Sequence, residues 1–158
     1  FDGMFAIAAW NTKTQELIIS RDRFGVKPLY YYFDGRLFLF ASEIKAILEH
    51  PNYSIKINTA ALNEYFSFQN LFRFHTLFDG IYMLPAANTI SISKDTRSLR
   101  HQVWWDYNFS EVDNTITFQD AKEETKRLMQ EAVKRQMVSD VPVGSYLSGG
   151  MDSGSITA

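Results

Sequence analysis

The sequence predicts an α+β region built on antiparallel strands, followed by the opening of an α/β unit. Two observations carry the first part. Apolar, β-rich runs pair off within residues 1–41, and Asp34-Gly35 stands between two of them. A third carries the second part. An amphipathic stretch at 117–138 leads through a short apolar run into Ser148-Gly149-Gly150-Met151-Asp152-Ser153.

Composition narrows the function classes. The 158 residues are 46% hydrophobic and 22% charged, which excludes a disordered tail. Sixteen Lys and Arg against eighteen Asp and Glu give a formal net charge of -2. No global basic field is present to hold nucleic acid. No apolar run approaches the ~20 residues of a bilayer span. The absence of cysteine removes disulfides, thiolate metal sites and a cysteine nucleophile from this chain. Residue 1 is Phe, and Ala158 follows the glycine-rich loop by five residues, so a window from a longer protein is expected.

Each element has a local cause. Residues 4–10 form an unbroken apolar run, 11–15 a polar turn, and 16–21 (ELIISR) a second β-rich run. Together they read as an antiparallel hairpin. Residues 29–33 and 36–41 flank Asp34-Gly35, a two-residue turn whose central positions need positive φ. The four strands predict one antiparallel sheet. Ser42 is placed to cap a helix over 43–49, with Glu43 in its first turn and Pro51 closing it. Asn58 or Thr59 caps 60–68, where Leu62, Tyr65 and Phe66 share a face. Residues 71–78 are aromatic and irregular, 89–93 (TISIS) alternate as a strand, 95–98 turn, and 99–105 form another strand. Residues 106–114 are polar and linker-like. Thr117 and Asp120 then form a capping box, and the helix it starts runs to about Val138. Residues 143–147 (VGSYL) predict a short strand, and 154–158 the start of a helix.

Helix, strand, glycine-rich loop and helix start is the layout of a nucleotide site. Gly149 and Gly150 allow a sharp turn and close backbone approach to a ligand. Backbone N–H groups, the Ser148 and Ser153 hydroxyls and a helix N-terminus all suit phosphate oxygens. Asp152 fits beside phosphates if Mg²⁺ bridges the two. The loop has no Gly-Lys-Ser/Thr, so it suits pyrophosphate as a leaving group better than γ-phosphoryl transfer.

Other residues read as scaffold. Arg21, Asp22, Arg23 and Lys27 could hold a substrate anion, but a turn fixed by Arg–Asp pairs is favoured. Ser42-Glu43 reads as a helix cap before it reads as a base and its partner. His50, His75 and His101 lack metal-ligand spacing. The Phe/Tyr-rich stretch 65–82 reads as core or interdomain packing rather than base stacking. Asn52-Tyr53-Ser54 and Asn108-Phe109-Ser110 match the glycosylation sequon by coincidence.

These motifs resemble the glutamine-hydrolysing asparagine synthetases of the asparagine-synthase B type, along almost the whole chain. Residues 148–153 (SGGMDS) resemble that family's SGGxDS pyrophosphate loop, and 139–144 (SDVPVG) its lead-in. Residues 1–6 (FDGMFA), 21–31 (RDRFGVKPLYY) and 40–46 (FASEIKA) resemble the later half of its glutaminase domain. Residues 76–84, with Gly80, and Trp105 resemble the segment joining its two domains. Gly154 departs from the family, where a second Ser is common.

The resemblance implies the C-terminal half of an N-terminal-nucleophile, class II glutamine amidotransferase αββα sandwich. This would be joined to the start of an α/β pyrophosphate-loop synthetase domain of the adenine nucleotide α-hydrolase-like type. The implied domains are 1–105, a linker at 106–116, and 117–158. The implied reaction joins glutamine-derived ammonia to an adenylated aspartate β-carboxylate, giving asparagine, AMP and pyrophosphate. ATP and Mg²⁺ are the expected cofactors. Leu147 would line the adenosine pocket; Ser148, Gly149, Gly150 and Ser153 would cradle pyrophosphate; Asp152 would bind Mg²⁺. No catalytic residue is assigned within the chain, because the nucleophilic cysteine would lie upstream of Phe1. The chain alone is therefore expected to be inactive. Expected partners are glutamine, aspartate and ATP, with no nucleic acid, no membrane, a homodimer compatible, and a cytoplasmic location. Two alternatives stay open: an enzyme adenylating another carboxylate, such as a β-lactam-synthetase-like cyclase, and a non-catalytic scaffold.

Overall fold

The first hairpin is built as expected. The computed structural model describes residues 1–158 except 96 and 114; Thr96 of the expected 95–98 turn and Asn114 of the expected linker lie outside the described residues. Strands β1 (Ala6–Asn11) and β2 (Glu16–Arg21) pair antiparallel, Ala6 opposite Arg21. The second hairpin joins β3 (Tyr30–Phe33) to β4 (Phe38–Ala41) through 34–37, not through the expected two-residue Asp34-Gly35 turn. Positive φ falls on Gly35, at +88°, and not on Asp34, whose carboxylate accepts the Arg36 and Leu37 N–H groups at 2.8 and 2.7 Å.

The two hairpins enter different sheets, which corrects the expectation of a single one. β2 pairs with β6 (Asn88–Ser93), which pairs with β7 (Leu99–Val103), giving the order β1-β2-β6-β7. β3 pairs with β5 (Ile81–Met83), giving β4-β3-β5. Every pairing is antiparallel. The cause is the core. Ile19 of β2 and Ile90 of β6 are fully buried with Leu29 and Leu84, and Tyr31 and Phe38 of the other sheet pack on them. Each fully buried aliphatic side chain contributes about 1.5–3 kcal/mol, which a single open sheet would forgo. On the far face of β4-β3-β5, Tyr30, Tyr32 and Leu39 pack with Ile47 and Ile44 of α1 (Ile44–Leu48).

The helix starts differ in detail. The cap of α1 is Glu43, extended and without a side-chain hydrogen bond, so Ser42 is not the cap. Glu43 instead pairs with Lys45 at 2.6 Å. In α2 (Thr59–Phe68), Asn58 Oδ1 accepts the Ala61 N–H, as its residue type suggested. Ala61 is the buried residue there, while Phe66 of the expected apolar face is exposed. Phe68, Phe72 and Phe74 are exposed as well, so most of the aromatic stretch is not core.

The Arg21–Lys27 cluster is scaffold, but not through Arg–Asp pairing. The Arg21 guanidinium donates to the carbonyls of Gly25, Lys27 and Leu84 at 2.6–2.7 Å. The buried Asp22 carboxylate accepts the N–H groups of Phe5, Phe24, Val26 and Lys27 at 2.9–3.2 Å. Each charged group is spent on backbone, which frees 22–29 to loop tightly without regular structure. Arg23 lies 5.0 Å above the Trp105 ring.

The chain divides into two compact units, Phe1–Tyr107 and Asn108–Ala158. The second contains α3 (Phe118–Gln136) and α4 (Met151–Thr157). Thr117 and Asp120 form the reciprocal capping box at the start of α3. Arg127 bridges Glu124 and Glu131 along the helix at 2.5 and 2.6 Å. Residues 143–147 are not a strand, contrary to expectation, because no neighbouring strand pairs with them among the described residues. Among the described residues, no helix is long and apolar enough to cross a membrane.

Candidate functional site

The glycine-rich loop connects 143–147 to α4. Its positive φ falls on Gly149 alone, at +80°, and no heavy atom lies within 4 Å of where a Cβ would stand. Gly150 has φ -81° and ψ 160°, extended backbone open to any residue. The turn therefore needs one glycine for its conformation. Gly150 matters only for the space beside two hydroxyls: a Cβ there would stand 3.6 Å from Ser148 Oγ and 4.0 Å from Ser153 Oγ. This corrects the equal weight that residue type alone gives the two glycines.

The two serines meet across the loop. Their Oγ atoms lie 3.0 Å apart, the Ser148 N–H donates to Ser153 Oγ, and the Ser153 hydroxyl donates to the Gly150 carbonyl at 3.1 Å. Ser145 and Thr157 hydroxyls are 2.8 Å apart and tie the lead-in to the last turn of α4. That contact spans twelve residues and leaves no signal in the sequence.

Gly150 is the N-cap of α4 and brings no capping side chain, so the first N–H groups of α4 have no intrahelical or capping acceptor. Asp152 sits in that first turn, exposed. Leu147 and Met151 are exposed too. The sequence-predicted residues are thus brought together. Ser148, Gly149 and Gly150 form one turn, and Leu147 is on the chain that enters it. Asp152 and Ser153 stand on the first turn of the helix that leaves it, with Ser153 Oγ against Ser148 Oγ. Free backbone donors, two hydroxyls and one carboxylate are a donor set that fits a phosphate group with Mg²⁺. Among the described residues, no three His, Cys, Asp or Glu side chains gather to hold a metal by themselves.

Comparison with known proteins follows this division. A glutamine amidotransferase domain family matches residues 1–105, and an asparagine synthase family matches 124–158. Asparagine synthetase [glutamine-hydrolyzing] 3 of Bacillus subtilis is 41% identical over 99% of this chain. Asparagine synthetase [glutamine-hydrolyzing] 1 of the same organism is 36% identical over 99% of it. The chain spans 25% and 24% of the lengths of these two curated relatives. With two-thirds of its length in that match and its antiparallel sheets inside it, the chain belongs to the glutamine amidotransferase domain family.

Proposed function

We propose that the protein carrying this chain is an ATP-dependent, glutamine-hydrolysing asparagine synthetase. It releases ammonia from glutamine and joins it to aspartate, with ATP split to AMP and pyrophosphate. The observation that supports this best is the succession of two domain types on one chain, an amidotransferase at 1–105 and an asparagine synthase at 124–158. The domains in this reading are 1–105 and 117–158, joined by a linker at 106–116. The first is the later half of an αββα sandwich, a reading supported by the two antiparallel sheets packed on each other and by the helix on the far face of one of them. The second opens an α/β pyrophosphate-loop domain. In this reading the enzyme works in the cytoplasm.

Residues 147–153 take the nucleotide in this reading. Leu147 lies beside the adenosine. Ser148, Ser153 and the backbone at Gly149 and Gly150 hold the pyrophosphate oxygens. Asp152 would hold Mg²⁺, which would supply charge screening for the phosphate oxygens. The free α4 N–H groups and the serine pair across the turn support these roles.

The test uses the complete protein with Mg–ATP, aspartate and glutamine. Asparagine and pyrophosphate should appear in equal amounts. Pyrophosphate formed with another carboxylic acid but not with aspartate would move the reading to a different acceptor. ADP and phosphate as products would refute pyrophosphate chemistry.

A further inference from the structure

A cavity of about 380 Å³ lies within Phe1–Tyr107, between the outer face of β4-β3-β5 and the segment that follows α2. The sheet side supplies Tyr30 and Met83, and the segment supplies Leu71, Arg73, His75 and Phe78. Cavities of this size hold small molecules, on mostly apolar walls with a few polar groups.

Charge decides which molecules fit. Among the described residues, no Asp or Glu lines the cavity. The nearby Glu64 carboxylate is already committed: Oε1 accepts the Phe72 N–H at 2.8 Å, and Oε2 lies 2.8 Å from His75 Nε2. The Phe72 bond ties the 72–75 wall to α2 and sets the other carboxylate oxygen against the His75 ring. Arg73, between these two residues, has no hydrogen-bonding or ionic partner among the described residues. Among the described lining residues, the uncompensated charge is therefore a guanidinium, beside aromatic rings and a thioether. A guanidinium suits a carboxylate by bidentate, charge-assisted hydrogen bonds.

We propose that this cavity binds a small organic acid: one carboxylate, paired with Arg73, on a ring-sized apolar body packed against Tyr30, Phe78 and Met83. The cavity belongs to the first unit and the glycine-rich loop to the second, and the proposal does not rest on asparagine synthesis.

The test is methyl NMR of the complete protein labelled at methionine, with the Met83 signal assigned through Met83→Leu. Benzoate is the probe and benzamide its neutral counterpart. Benzoate should shift the Met83 methyl and bind about tenfold more tightly than benzamide, the factor that one charge-assisted pair supplies. In Arg73→Gln the two should bind alike, with the other methionine signals unmoved as proof of folding. Equal affinity of the two probes for the unaltered protein overturns the proposal. So does a benzoate preference that survives in Arg73→Gln. So does a Met83 signal that stays fixed to about 10 mM benzoate, weaker than any meaningful site; that is the result if another part of the protein fills the cavity.

Discussion

Replacing Asp22 by Asn should open the loop that connects the two sheets. The carboxylate uses both oxygens: Oδ1 accepts from Phe24 at 3.2 Å and Val26 at 2.9 Å, Oδ2 from Phe5 at 3.2 Å and Lys27 at 2.9 Å. Asn keeps one oxygen and turns an NH₂ toward the other two donors. Two backbone N–H groups then lose their acceptor in a site where Asp22 is only 1% exposed. Each unsatisfied buried donor costs about 1–3 kcal/mol, so the loss centres on about 4 kcal/mol. Hydrogen exchange of the complete protein reads this locally. Exchange of the Phe24, Val26 and Lys27 amides should accelerate about a thousandfold, the equivalent of 4 kcal/mol. The pH dependence has a definite sign. Burial opposes the charge on Asp22, yet its backbone donors together hold its pKa below the ordinary 3.8. The stabilisation is therefore complete above about pH 4 and is lost as pH falls through the lowered folded value. The difference between the parent and Asp22→Asn should shrink over the same range. Acceleration of less than about tenfold near neutral pH would refute the reasoning, since water would then be satisfying the donors.

The two loop glycines should behave differently in pyrophosphate release by the complete protein. Gly149→Ala forces a side chain into φ +80°, costing about 1–2 kcal/mol and lowering kcat/KM about 5- to 30-fold. Gly150→Ala, at φ -81° with ordinary contacts, should change it by less than about threefold, and the reverse ranking would sink the assignment. His101, on β7 with its ring 5.8 Å from the Tyr31 ring, should titrate below its ordinary 6.5 because burial disfavours its charged form. The unfolded chain then binds the proton first, so this residue lowers stability as pH falls below 6.5. An NMR titration placing it at or above 6.5 would contradict that.

Elements governed by near neighbours were legible in the sequence. Gly35 marks a turn by its residue type, because its positive φ is a local demand. The two-residue turn expected at Asp34-Gly35 does not form, however: Asp34 takes no positive φ, and its side chain caps the Arg36 and Leu37 N–H groups instead. Thr117 and Asp120 announce α3 three residues apart. What depends on distant partners was not legible. Nothing in residues 16–21 tells that β2 will pair with 88–93 rather than with the next hairpin. The three-residue β5, inside an aromatic run without alternation, owes its existence to β3 beside it. Residues 143–147 have strand composition but no pairing edge among the described residues. At the candidate site, residue types were readable and conformations were not. Both glycines suggested a turn, yet only Gly149 turns. Arg21 and Asp22, adjacent and opposite in charge, suggested a pair, but a buried loop leaves more backbone groups to satisfy than one ion pair would.

The pairing of β2 with β6 sets a clock on synthesis. Glu16 meets Ser93 and Ser20 meets Thr89, so β2 must wait for some seventy further residues before its second edge is closed. At about 5–20 residues per second on the ribosome, that wait is on the order of 4–15 s. Throughout it, the β1–β2 hairpin offers Leu17, Ile18 and Ile19 on an open edge to any other nascent strand. Once β6 arrives, that edge closes and Ile19 and Ile90 come together in one step. Slowed translation between residues 21 and 88 should therefore raise misassembly, whereas slowing after β7 should leave it unchanged.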